Sequence, residues 1–147
     1  MGDKASFMDE FEQRVSAIPG VERVEFFGSI LTDKFVQGRS DIDVAVFGEV
    51  SAEDKHRIRL LIRDLSKKYD MKLEQVPFLH PTPFFVPPKR EKIFRETFNG
   101  HLHLIRLAEP IRRLIKKYPP LTHDGYWRLE ERFARIPFFH RVFYLFW

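Results

Sequence analysis

Two acids separated by a single residue, Asp41 and Asp43, open the apolar run Asp-Ile-Asp-Val-Ala-Val-Phe at 41–47. On a strand, alternate side chains share a face, so the two carboxylates lie together, about 7 Å apart along the chain, while Ile42 points the other way. Two anions held that close invite a hard cation. Mg²⁺ or Mn²⁺ fits, because these ions take one or two carboxylates and complete their shell with water and nucleotide phosphates. Upstream stands Gly28-Ser29, at the end of a mixed β-branched and aromatic segment. A glycine there lets the backbone approach a phosphate, and a serine can donate from its hydroxyl and its N–H. A third acid, Glu74, falls on the segment after the next helix, with Asp70 as the second choice. It could join the metal site or accept the proton of an attacking hydroxyl. Alone, Gly28-Ser29 is an ordinary strand-to-helix turn and Asp41 with Asp43 a pair of solvated strand-end acids. The combination with its spacing carries the chemistry.

Gly28-Ser29, ten residues, then Ser40-Asp41-Ile42-Asp43 and a hydrophobic strand resembles the signature of the DNA polymerase beta type nucleotidyltransferases, especially the minimal members of that superfamily. The likeness covers roughly residues 20–80. It implies transfer of a nucleoside monophosphate from a nucleoside triphosphate (NTP) to an acceptor hydroxyl, with release of pyrophosphate, on a small mixed sheet backed by helices. By position, Gly28, Ser29 and Ser40 match the phosphate-binding part, and Asp41 and Asp43 the metal-binding pair. Glu74 matches the third acid loosely. Minimal members commonly carry Ala-Arg-Gly soon after Gly-Ser, whereas this chain has Ile30-Leu31-Thr32-Asp33-Lys34, which leaves Lys34 or Arg39 as the triphosphate contact. The rival reading is a non-catalytic, antitoxin-like partner of a toxin that uses the same fold for binding.

Around these residues the elements follow from periodicity. Phe7, Phe11, Val15 and Ile18 recur at helical spacing from Ser6, where Ser6 and Asp9 suggest a capping box, and Pro19-Gly20 ends the pattern. Val21 to Phe27 and Asp41 to Phe47 read as strands. Ser51 and Asp54 form a second capping box ahead of the stripe Ile58, Leu61, Ile62, Leu65 and Tyr69. Met71 to Phe78 alternates and predicts a third strand, and the five prolines between 77 and 88 predict an extended connection. A short basic helix at 89–98, a strand at 101–107 and two more helices before Pro119-Pro120 and Pro137 complete the expectation. The fold class is therefore α/β (α+β), a mixed sheet of three to five strands with helices packed on it. A catalytic domain at 1–108 precedes a helical, basic and aromatic extension at 109–147.

The bulk figures agree. The 147 residues suffice for one well-buried core, and 44% hydrophobic with 31% charged residues excludes wholesale disorder. The absence of Cys removes disulfides and thiolate chemistry. No visible signal sequence and no run of about 20 apolar residues leave a cytoplasmic protein without a membrane span as the expectation. Residues 1–85 carry 12 Lys and Arg against 15 Asp and Glu, whereas 86–147 carry 13 against 6, so the net charge of +4 divides into −3 and +7. The basic half suits a polyanion or a protein partner. RNA, protein and a small molecule all stay open as the acceptor, as does a homodimer. The sixteen Phe imply a ring-rich core, with the tail rings from Phe138 to Trp147 packing on the sheet or on a second subunit. His101 and His103 share a face if their segment is a strand, and Arg135 with His140 has the loose Arg-His spacing of HEPN ribonucleases; both are read as incidental.

Overall fold

The computed structural model describes residues 3–73 and 81–99, together with 128, 132, 135–137 and 146. Helix α1 spans Lys4–Ser16 and buries Phe7, Phe11 and Val15, an i, i+4, i+8 stripe. It begins earlier than the Ser6/Asp9 pair suggests. Asp3 is the N-cap, and its Oδ1 accepts from the Ser6 N–H at 2.7 Å. The cap forms one turn upstream because an aspartate reaches the exposed N–H groups as well as a serine does. Strand β1, Val21–Phe27, runs antiparallel to β2, Asp43–Gly48. Helix α2 spans Ala52–Lys68, with Ser51 as N-cap accepting from the Asp54 N–H at 3.1 Å.

The proline-rich connection supplies a strand that the sequence does not predict. Of the strand expected at Met71–Phe78 only 71–73 fall among the described residues, where Lys72 forms a parallel bridge with Asp41. Strand β3 is Phe84–Val86, parallel to β2, with Ala45, Val46 and Phe47 opposite Phe84, Phe85 and Val86. It forms between prolines because Phe84, Phe85 and Val86 all retain their N–H groups, and rings and β-branched residues suit a buried strand. The sheet order is β1-β2-β3, small and mixed, and the architecture is α+β.

Directly opposed residues share a face. Phe26, Val44, Val46 and Phe85 therefore lie on one side. There the rings of Phe7 and Phe11 meet Phe26 edge-on at 6.3 and 5.9 Å, and Tyr69, capping α2, meets Phe7 at 6.1 Å. Lys55 and Arg59 of α2 lie over the Phe85 ring at 5.5 and 5.4 Å. Phe27, Asp43, Ala45, Phe47 and Phe84 take the other side, where Phe27 and Phe84 approach to 5.9 Å and the Arg23 guanidinium sits 4.1 Å over Phe47. Both faces of β2 are covered, as the unbroken burial of Val44 to Phe47 shows.

The chain divides into two units: Met1–Glu74 with Thr82–Lys89, and Gln75–Pro81 with Arg90–Trp147. The second holds helix α3, Glu91–Asn99, in agreement with the predicted short helix. Within it the half-exposed Phe146 packs edge-on against the buried Phe94 at 5.3 Å, so one tail ring rests on a helix. The expected strand at 101–107 lies outside the described residues, and so do the histidines at 101, 103 and 140. The helices expected between 111 and 136 fall outside them almost entirely. Among the described residues no helix is long and apolar enough to cross a membrane.

Candidate active site

The site is built where β1 ends and β2 begins. Phe27 is paired with Asp43, so the residue after the strand, Gly28, lies beside the Asp43 carboxylate. Gly28 has φ +74°, and a Cβ placed there would overlap Asp43 Oδ2 and sit 3.2 Å from its Cγ. No other residue type combines that backbone angle with that approach. The chain then turns through one 3-10 turn, Gly28–Leu31, which buries Ile30 and leaves Ser29 half-exposed. Thr32 closes it, donating from both N–H and Oγ1 to the Ser29 carbonyl at 2.9 Å.

Asp41 and Asp43 are both half-exposed, and Ile42 between them is fully buried, as strand alternation requires. Lys72 reaches the same place: its Nζ lies 3.2 Å from Asp41 Oδ1, and the two residues are backbone neighbours in the parallel bridge. The sequence places Lys72 on one face with Glu74, but nothing in the alternation says which residue it faces.

The loop from Thr32 to Ser40 is tied down at several points. Lys4 Nζ donates to the Thr32 carbonyl at 2.8 Å, and Gln37 Nε2 donates to the Tyr69 carbonyl at 2.7 Å. The Val36 N–H donates to Ser40 Oγ at 2.9 Å, and the Ser40 N–H returns to the Val36 carbonyl at 2.8 Å. Ser40 thus uses its hydroxyl to shape the loop that delivers Asp41. Lys34 and Arg39 stand exposed on this loop. The arrangement brings Gly28 and Ser29 to one end of the sheet with Asp41, Asp43 and Lys72.

Glu74 lies outside the described residues. The strand parallel to β2, β3, carries Phe84, Phe85 and Val86 and no acid. Among the described residues no three His, Asp or Glu side chains gather. Among the described residues the donor set here is the two carboxylates, with the Lys72 ammonium against Asp41.

A family model for the nucleotidyltransferase domain matches residues 7–98, more than half of the chain. The chain belongs to this family. No curated protein and no solved structure matches it. As a nucleotidyltransferase domain, the match runs from α1 through α3 and includes every described residue of the Gly28 turn and the acid pair. The match contains the whole stretch, roughly 20–80, over which the sequence resembles the superfamily.

Proposed function

We propose that this domain catalyses divalent-metal-dependent transfer of a nucleoside monophosphate from an NTP to an acceptor hydroxyl. The observation that supports it best is the packing of Gly28 against Asp43, because one contact then links the phosphate-binding turn to the acid pair. Asp41 and Asp43 fit Mg²⁺ or Mn²⁺: they are half-exposed residues with hard oxygen donors on one face, and such ions complete their shell with water and phosphate oxygens. When bound, the ion supplies charge neutralisation at the triphosphate. In this reading Gly28 admits the phosphates to the backbone, Ser29 offers its hydroxyl, and Lys34 and Arg39, both exposed on the following loop, meet the outer phosphates. The acceptor oxygen attacks the α-phosphorus, the α–β bridging bond breaks, and pyrophosphate leaves with its electron pair. The acceptor proton passes to a carboxylate, for which Glu74 is the candidate.

A binding-only role, with a toxin or a second copy as partner, draws on the turn itself. Leu31 and Val36 expose apolar side chains, 58% and 51%, on the loop where minimal members carry Ala-Arg-Gly. One titration separates the two readings. Magnesium–NTP binding should be lost in Asp41→Ala/Asp43→Ala if the acid pair holds the complex, and equal binding by both proteins ends the catalytic reading. Labelled ATP, CTP, GTP and UTP offered with RNA, protein and small hydroxylated acceptors then identify the acceptor. Label transfer should fall about 100-fold or more in Asp43→Asn, the scale of several kcal/mol of charge stabilisation.

A further inference from the structure

The contact that the nucleotidyltransferase reading does not use is Lys72 against Asp41. The lysine is delivered by the backbone: it sits beside Asp41 in a parallel bridge, which aligns the two side chains on the face that also carries Asp43. Its ammonium lies 3.2 Å from Asp41 Oδ1, with side-chain exposures of 38% for the lysine and 31% for the aspartate. The lysine is half-exposed whereas Asp41 Oδ1 itself is buried, so solvent screens the pair only in part. We infer that Lys72 is a built-in counter-cation of the acid pair, which competes with the divalent ion for Asp41 and makes metal capture depend on the nucleotide.

Two carboxylates on one strand face repel each other, and the Lys72 ammonium beside Asp41 relieves part of that repulsion. A divalent ion approaching the pair must displace the ammonium or bind next to it, and either path weakens its affinity. An NTP reverses the balance, since its phosphates bring ligands for the ion and a second anion for the displaced ammonium. The lysine has the length and the part exposure to swing from carboxylate to phosphate without moving the backbone. Lys72 is thus a positioning residue that sets the order in which metal and nucleotide bind.

This inference rests on the acid pair being the metal site, and the experiment separates the two. Mn²⁺ alone is titrated by electron paramagnetic resonance into the full chain as wild type, Lys72→Met, Lys72→Gln, Lys72→Arg and Asp41→Asn/Asp43→Asn. Removing the ammonium should tighten Mn²⁺ by roughly two- to fivefold, the worth of a partly exposed ion pair, in both neutral variants. Lys72→Arg, which keeps the charge, should stay near wild type, and the gain should shrink as salt is raised. Unchanged or weaker Mn²⁺ binding in Lys72→Met and Lys72→Gln overturns the role of Lys72. Undiminished Mn²⁺ binding in the double aspartate variant overturns the metal site itself.

Discussion

Replacing Gly28 by Ala tests how the site is put together, because two separable penalties meet at that residue. The first is conformational: φ is +74°, and a left-handed backbone costs an L-residue about 1–2 kcal/mol. The second is steric: the added methyl would overlap Asp43 Oδ2 and press on Cγ at 3.2 Å, so the carboxylate must move. Forcing a side chain out of a packed position typically costs a further ~1–3 kcal/mol. Together Gly28→Ala should cost about 2–5 kcal/mol, read from urea denaturation with circular dichroism. In an Asp43→Ala background the second penalty vanishes, since the Asp43 Cβ would lie at an ordinary 3.5 Å. There the same substitution should cost only ~1–2 kcal/mol. The coupling in this double-mutant cycle is the quantity of interest. A coupling below about 0.5 kcal/mol would mean that Gly28 and Asp43 do not meet, and the assembled site would be wrong. With Asp43 intact, Gly28→Ala should also weaken magnesium–NTP binding at least tenfold if the turn and the acid pair form one site.

Other perturbations probe the frame. The hydrogen bonds that Glu10 accepts from Lys68 at 2.6 Å and from the Tyr69 hydroxyl at 2.5 Å tie α1 to the end of α2. The Lys68 bond, then that of Tyr69, holds the Glu10 carboxyl below the usual glutamate range, and the bond to Glu10 holds Lys68 above the usual lysine range. A lowered acid contributes stability above its unfolded value and loses it as the pH falls through the folded one; a raised base contributes below its unfolded value and loses it as the pH rises through the folded one. Thermal melts should therefore show this bridge failing at both extremes, below the ordinary glutamate range and above the ordinary lysine range. In Glu10→Gln both dependences should flatten. Removing the α2 cap with Ser51→Ala should cost about 1 kcal/mol in urea melts, with the metal and nucleotide affinities unchanged.

Much of the frame was legible in the sequence. Local rules sufficed where the determinants are local: the 3.6-residue stripe of α1, the Ser51 cap and amphipathic face of α2, and the β-branched and aromatic run of β1. They failed at β3, because the five prolines from 77 to 88 signal an extended chain without saying that three residues between them, Phe84–Val86, would pair with β2. Pairing with a distant strand is a long-range property, and a short apolar segment takes the edge that offers it burial. The start of α1 was misread for a smaller reason, as Asp3 and Ser6 are both competent caps and only the fold shows which is used.

The sequence by itself determined the chemistry on offer, because residue type, strand alternation and the Gly28-Ser29 to Asp41-x-Asp43 spacing are all local quantities that place two hard-oxygen donors on one face near a turn fit for phosphate. Only the tertiary structure decided which groups touch. The β1–β2 register sets Gly28 against Asp43, and the return of the chain after α2 sets Lys72 against Asp41. Both contacts depend on strand register, which is fixed by burial across the whole sheet and is not written in any one segment.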